Sequence, residues 1–173
     1  MQNPIELLQE EHTLILKAIE IGKDIQKVPE NKVYYRLMHD YILFIRNYTE
    51  IYHYPKEENI LYPVLQNRSK AMSSEFMHEI CDNHEDFKSM IADIENYYVM
   101  FDYKQLRKAM TNYFELLTNH IKRENKIILG AAAEILTVNE KENIYNQFET
   151  IDKKNGEKEE LTKGLYKISL KMC

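Results

Sequence analysis

Residues 53–65 read HYPKEENILYPVL and place a histidine and a glutamate four positions apart, at His53 and Glu57. An α-helix turns once every ~3.6 residues, so both side chains would lie on one face and could reach a single ion in front of it. Taken alone, the pair is interpreted more simply as a solvent-exposed ion pair, because such pairs are common on helix surfaces. Pro55 lies between the two residues and predicts a bend in the helix.

The same spacing occurs again in residues 120–124, HIKRE, where His120 precedes Glu124. Apolar residues continue both patterns in steps of three and four, which is typical of the inward face of a bundle helix. These apolar residues are Ile60 and Val64 after the first motif, and Tyr113, Leu117, Ile127 and Ala131 around the second. We therefore expect both His/Glu pairs to point inward.

Two further histidines, His12 and His84, lie in the apolar stripes of two other helical segments. Burying four imidazoles and two carboxylates without a counter-ion would cost on the order of several kcal/mol per unpaired charge. A bound cation removes that cost, so the sequence predicts a metal centre. The candidate ligands are His12, His53, Glu57, His84, His120 and Glu124.

The donor set also indicates which metals would bind and how many. Nitrogen and oxygen ligands without sulfur suit iron, manganese or zinc better than copper(I) or an iron–sulfur cluster. Six protein ligands exceed what one ion with an open position requires, whereas carboxylates can bridge two ions. We expect two iron ions, with manganese or zinc as possible substitutes, and open positions for a small exogenous ligand.

Helical periodicity and few chain breakers predict an all-α fold. Only four glycines and four prolines occur in 173 residues, and strand signals are missing. Long segments joined by short turns imply antiparallel neighbours, so we expect an antiparallel up-down-up-down four-helix bundle with one or two extra C-terminal helices. The long segments are predicted at residues 3–27, 31–67, 72–101 and 103–136.

The predicted organisation is a metal-binding bundle over residues 1–151, followed by a helical extension over 152–173 that packs on it. Thr137 and Glu140 have the spacing of a capping box, which opens a short helix to about residue 151. A charged turn is predicted at 152–160, and residues 161–172 are weakly amphipathic.

Composition excludes several kinds of partner. The net charge of -5 and the pI near 5.7 argue against nucleic acid, because phosphate binding needs clustered Lys and Arg. The sequence contains neither a secretion signal nor an apolar run long enough to span a membrane. Cys81 and Cys173 form no CxxC pair, which favours a reducing compartment, the cytoplasm. No protein partner is required by the sequence, and we expect a monomer or a homodimer.

The motifs together resemble the haemerythrin-like, or HHE cation-binding, family over roughly residues 5–150. The stretches that carry the resemblance are LLQEEHTLILKAI at 7–19, HYPKEENILYPVL at 53–65 and HIKRENKIILGAAAEILT at 120–137. The resemblance implies a four-helix bundle with a non-haem di-iron centre that binds dioxygen, nitric oxide or related oxidants. Carried over position by position, it makes His12, His53, His84 and His120 terminal ligands and Glu57 and Glu124 bridging carboxylates.

The sequence departs from the invertebrate oxygen carriers of that family. Those proteins have an additional histidine one turn from the third-helix ligand, whereas the corresponding positions around His84 are Ile80 and Lys88. They also use aspartate as the second bridge, which would be Glu124 here. The set of four histidines and two glutamates is similar instead to bacterial iron-centre repair proteins and stress-response relatives. Repair proteins usually carry an N-terminal cysteine-bearing domain, whereas this sequence starts at the bundle, which favours another role.

Two classes of function stay open at this point. A binding or sensing protein would take up dioxygen or nitric oxide reversibly, as an oxygen carrier or store does. An enzyme would reduce peroxide or nitric oxide, or would deliver iron to damaged iron centres. We expect a protein that binds or reduces small oxidants in a stress-response or sensing role, with a diatomic molecule or peroxide as its ligand.

Three other polar residues near the motifs are interpreted as non-ligands. Glu58 is expected to face solvent, because it lies about 100° around the helix from the inward face. His78 points about 120° away from His84. His39 lies roughly 21 Å along the helix from His53, too far to reach the same centre.

Overall fold

The computed structural model describes residues 2–68, 74–155 and 158–171. Within these ranges every regular element is helical, which confirms the all-α prediction. None of the helices in these ranges has both the length and the apolar composition needed to cross a membrane. The α-helices are α1 Pro4–Ile25, α2 Lys32–Arg46, α3 Tyr54–Lys56, α4 Tyr62–Arg68, α5 Ser74–Val99, α6 Tyr103–Arg123, α7 Gly130–Ile135, α8 Val138–Asn155 and α9 Lys158–Leu170. Three π-helical segments lie between them: π1 Asn47–His53, π2 Glu57–Leu61 and π3 Glu124–Leu129.

Side-chain caps fix where several helices begin. Asn31 caps α2 and Asp102 caps α6, each by accepting hydrogen bonds from backbone N–H groups of the first turn. Thr137 and Glu140 form the predicted capping box at the start of α8. The Glu140 carboxylate accepts from the Thr137 N–H at 2.9 Å, and the Thr137 hydroxyl accepts from the Glu140 N–H at 3.3 Å.

Four helical columns enclose one interior. The first column is α1, and the second runs from α2 through π1, α3 and π2 into α4. The third column is α5, and the fourth runs from α6 through π3 into α7. Each column packs on two others, since α1 contacts α2 and α6, and α5 contacts the same two helices. The connections at 26–31 and 100–102 are short, which makes neighbouring columns antiparallel, as predicted.

The interior contains two hydrophobic clusters with a polar layer between them. Leu8 belongs to one cluster and Ile15 to the other, and His12 lies between them on α1. On the fourth column, Leu117 and Ile128 belong to different clusters in the same way. The polar layer is therefore covered by apolar side chains on both sides along the bundle.

The π-helical segments change which residues face inward after each His/Glu motif. A π turn hydrogen-bonds to the fifth residue along the chain rather than the fourth, so steps of three and four no longer follow one face. Ile127, predicted to face inward, is 41% exposed, whereas Ile128 and Leu129 are buried. That prediction was wrong because it assumed an uninterrupted α-helix. Pro55 lies in α3 between π1 and π2, so the column is distorted around the proline and continues beyond it.

The C-terminal helices pack on the outside of the bundle. α8 contacts α1, π1, α3 and π2, and α9 contacts α2 and α1. α8 continues to Asn155 and α9 begins at Lys158, so most of the turn predicted at 152–160 is helical. The division into a bundle over 1–151 and an extension over 152–173 stays a prediction.

Candidate metal centre

Six side chains in the polar layer form two groups of three. His12, His53 and Glu57 make the first group, and within it the candidate ligand atoms lie within 4.8 Å of one another. All of them are almost fully buried. The second group meets the same criterion and contains His84, His120 and Glu124. The structure therefore brings together every residue that the sequence predicted for the site.

Each glutamate faces histidines of both groups. Glu57 Oε1 lies 3.3 Å from His12 Nε2, and its Oε2 lies 3.7 Å from His84 Nε2. Glu124 Oε2 lies 3.3 Å from His12 Nε2, and its Oε1 lies 3.6 Å from His84 Nε2. Both carboxylates thus lie between the two groups, where a carboxylate could be shared by two ions.

Hydrogen bonds at Nδ1 orient three of the histidines. Their partners are a side-chain amide oxygen and two carboxylates, which accept hydrogen bonds from the ring. An imidazole that donates from Nδ1 leaves Nε2 available as a metal ligand, and such partners set the orientation of the ring. The pairs, each 2.8 Å apart, are His12 with Asn125, His53 with Glu11 and His84 with Glu58.

Sequence reasoning missed these partners. The expectation that Glu58 faces solvent was wrong, since its side chain is only 22% exposed and accepts the hydrogen bond of His84. The physical reason is that a step of about 100° from the inward Glu57 points Glu58 at the neighbouring helix α5, which supplies His84, and not at solvent. Glu11 and Asn125 each adjoin a predicted ligand in the sequence, and that adjacency is the signal that could have found them. Tyr62, which donates a hydrogen bond to Glu124 Oε1, had no such signal.

Lys56 is a buried cation beside the first group. Its Nζ lies 2.6 Å from Glu11 Oε1 and 2.6 Å from Asp152 Oδ1. Burial raises the pKa of the Glu11 carboxyl, but the hydrogen bond with His53 and the charge of Lys56 together hold that pKa below its usual value. Glu11 is therefore ionised and can accept hydrogen bonds from both partners at once.

Contacts within the centre shift the pKa values of His84, His12 and Glu124 in the direction opposite to the effect of burial. Burial alone would lower the pKa of His84, but hydrogen bonds with Glu124 and Glu58 raise it to about 9. Burial opposes protonation of His12 as well, yet Glu124 and Glu57 hold its pKa well above the usual value. Burial would raise the pKa of Glu124, but His120 and His12 hold that pKa well below its usual range. Protons on His12 and His84 thus offset the negative charge that faces them, and a cation would replace those protons.

Buried atoms without hydrogen bonds show that the site fits a cation. Among the described residues, His12 Nε2 and both carboxylate oxygens of Glu57 have no partner with hydrogen-bond geometry. His84 Nε2 and His120 Nε2 lie 2.9 Å apart, so a single proton can lie between them. Buried polar atoms without partners are costly, and one or two metal ions would satisfy all of these atoms together. The nitrogen and oxygen donors suit iron, manganese or zinc.

The remaining candidate residues lie elsewhere. His39 belongs to neither group, is 54% exposed and contacts Asp40, in agreement with its interpretation as a non-ligand. The side chains of His78 and Cys81, and the whole of Cys173, lie outside the part of the chain that the structure describes.

The fold and the site define a class of protein: helical bundles whose interior holds paired histidine and glutamate groups that could bind metal. The family model described as the hemerythrin HHE cation binding domain matches residues 3–132. Because that match covers most of the chain, the protein belongs to this family, and the resemblance seen in the sequence is confirmed. Searches of curated proteins and of solved structures found no significant match.

Proposed function

We propose that the protein holds a non-haem di-iron centre and binds or reduces small oxidants such as dioxygen, nitric oxide or peroxide, in a stress-response or sensing role. The observation that carries this proposal is the pair of His/His/Glu groups whose glutamates each face histidines of both groups. Because carboxylates can bridge two ions, this arrangement supports two metals. The low cysteine content supports a cytoplasmic location.

The proposed ligands divide between the metals by group. His12 and His53 would hold one metal, His84 and His120 the other, and both metals would share Glu57 and Glu124. Each metal would then have four protein donors, which leaves room for a small exogenous ligand. Ferrous iron bound there would supply one electron per ion to an oxidant and become ferric, a state that carboxylate donors favour. Manganese or zinc would fit the same donors.

Side chains around the centre orient the ligands and exclude water. The ring of Tyr54 stacks on the ring of His84, with centroids 4.0 Å apart and an interplanar angle of 9°. Phe87 contacts His120 edge-on, with centroids 5.1 Å apart. Together with the hydrogen bonds at Nδ1, these contacts hold the imidazoles in place and keep bulk water away. Such an enclosed centre supports a ligand of diatomic or peroxide size.

A second candidate function is repair of iron centres or donation of iron. It is supported by the four histidines and two glutamates, a set similar to that of bacterial repair proteins. Reversible oxygen carriage has less support. One turn from His84, where oxygen carriers have an additional histidine, Ile80 is buried among apolar residues and Lys88 pairs with Glu85.

An anaerobic optical titration of the reduced, iron-loaded protein tests the proposal, first with nitric oxide and then with dioxygen. We expect saturable binding of nitric oxide, and rapid oxidation by dioxygen without a spectrum that reverses when oxygen is removed. His53→Ala should abolish both responses, whereas His39→Ala should leave them unchanged. A reversible oxygen spectrum would favour oxygen carriage, and an iron-loaded protein that responds to neither gas would contradict oxidant binding.

A further inference from the structure

A chain of charged side chains connects α8 with the candidate metal centre. Asp152 on α8 lies 2.6 Å from Lys56 Nζ, which lies 2.6 Å from Glu11 Oε1. The other oxygen of Glu11, Oε2, lies 2.8 Å from His53 Nδ1. The chain therefore leads from a carboxylate that is 30% exposed, through a buried lysine and a buried glutamate, to a proposed ligand.

α8 supplies much of the environment of the Lys56 ammonium. The side chain is 1% exposed, and its Nζ lies 3.7 Å from the ring centre of Tyr52 and 5.7 Å from that of Phe148 on α8. A cation buried to this extent needs compensating negative charge and favourable contacts. Without α8, Lys56 would lose the carboxylate of Asp152 and the ring of Phe148.

The position of Lys56 affects His53 because Glu11 is shared between them. Lys56 contacts one carboxylate oxygen of Glu11 and His53 contacts the other. A carboxylate is rigid and planar, so fixing one oxygen orients the second. The acceptor at Nδ1 sets both the orientation of an imidazole ligand and the donor strength of its Nε2. The ion pair between Asp152 and Lys56 thereby acts on His53 through Glu11.

We propose that Asp152 and Lys56 are positioning residues for His53, so that docking of α8 and metal binding by the first group are coupled. This inference rests on the proposed function, because it requires a metal at the centre. α8 follows the residues that match the family, 3–132, so the coupling would be a property of this chain's C-terminal region. Linkage makes the effect reciprocal: metal binding would stabilise the docked helix as much as docking strengthens metal binding.

Two substitutions in the full chain test the coupling, with a third as the control. Asp152→Asn and Lys56→Met each remove one charge from the chain of contacts. Arg68→Met removes a different ion pair of 2.6 Å, between α4 and Glu140 on α8, and leaves the contacts of Lys56 intact. For each protein, ferrous affinity is measured anaerobically against a chromophoric chelator, and the Tm is measured with and without iron.

We expect Asp152→Asn and Lys56→Met to weaken binding of one of the two metals about tenfold, at the lower end of the loss typical for a direct partner of a metal ligand, because both act on His53 through Glu11. The double variant Asp152→Asn/Lys56→Met should bind iron with the same affinity as the single variant that binds it less tightly. The two losses should not add, because both residues act through one chain of contacts. Both variants should lower the Tm of the iron-loaded protein more than that of the metal-free protein. Arg68→Met should leave affinity unchanged and lower the two Tm values slightly and equally, because this exposed ion pair contributes little to the docking of α8 and the contacts of Lys56 remain. Asp152→Glu should bind iron more tightly than Asp152→Asn, because it retains the negative charge beside Lys56.

Two results would overturn the inference: one contradicts the coupling alone, and the other contradicts the proposed function as well. If the variants bind both metals as tightly as the natural protein and lose equal Tm in both states, the ion pairs have a structural role only. If the natural protein binds no iron, the proposed function fails and the coupling fails with it. Should Lys56→Met not fold, Asp152→Asn decides the matter, because Asp152 is partly exposed and its replacement leaves the ion pair of Lys56 with Glu11.

Discussion

His12 Nε2 on α1 lies 3.3 Å from Glu124 Oε2 on π3, although the two side chains belong to different groups of three. The same nitrogen lies 3.3 Å from Glu57 Oε1, so one imidazole faces both carboxylates at equal distance. The two groups thus surround one common interior rather than two separate sites. Metal binding by one group is expected to affect the other.

Loading the metal-free protein should release protons. The pKa of His84 is raised to about 9 and that of His12 is raised as well, so both histidines are protonated near neutral pH. A metal can bind Nε2 only after its proton leaves. In the metal-free protein, the raised pKa of His84 stabilises the fold. This contribution is complete below about pH 6.5, the pKa of an unfolded histidine, and is lost as the pH rises through about 9.

Calorimetry in buffers of different ionisation enthalpy measures this release. We expect protons to be released when zinc or ferrous ions bind at neutral pH, and metal affinity to rise with pH up to about 9. His39→Ala should not alter the number of protons released. Metal affinity that stays constant between neutral and alkaline pH would contradict the proposed exchange of protons for metal.

Glu58→Leu should weaken metal binding, because it removes the acceptor that orients His84. The loss of such a partner typically reduces affinity by roughly 10–100-fold. Glu58→Gln retains an acceptor oxygen and should lose less. Glu85→Leu is a matched control, since Glu85 also pairs with Lys88 but is exposed. Competition with a chelator measures the affinities, and an equal loss in both leucine variants would show that His84 does not depend on Glu58.

Gly22→Ala should destabilise the fold without touching the metal centre. A methyl group at Gly22 would lie 2.7 Å from Tyr41 Cζ and would also overlap the ring of Phe114. Overpacking of this kind costs about 1–3 kcal/mol in free energy of unfolding. Gly130→Ala is the control, because its nearest atom would be 3.9 Å away, and we expect a gain of about 0.5–1 kcal/mol. Urea denaturation of the metal-free proteins measures both changes, and equal stabilities would contradict the packing around Gly22.

The meeting of the six side chains in the interior could be predicted because each lies in a local apolar pattern, whereas their role as ligands stays a prediction. A His/Glu pair four apart within an apolar stripe, as at His120 and Glu124, follows from the period of one helix. The capping box at Thr137 was local in the same sense and was confirmed. The burial of Ile128 instead of Ile127 depends on π3, which apolar periodicity does not reveal.

The contacts around the centre could not be predicted because they depend on how distant helices pack. Asp152 and Lys56 are far apart in the sequence and meet only when α8 docks beside π1 and π2. Lys56 would be assigned to the surface by its type, since lysines are rarely buried without partners. Its burial becomes favourable through Glu11 and Asp152, which two other helices supply.

The most direct test of the dinuclear centre is the iron content of the protein after anaerobic reconstitution with ferrous ions, measured by elemental mass spectrometry. We expect about two irons per chain in the natural protein and in His39→Ala. We expect a clear loss of iron in His53→Ala and in Glu124→Ala, which remove ligands proposed for the centre. A single iron per chain that neither substitution affects would contradict the claim that these six side chains hold two metals.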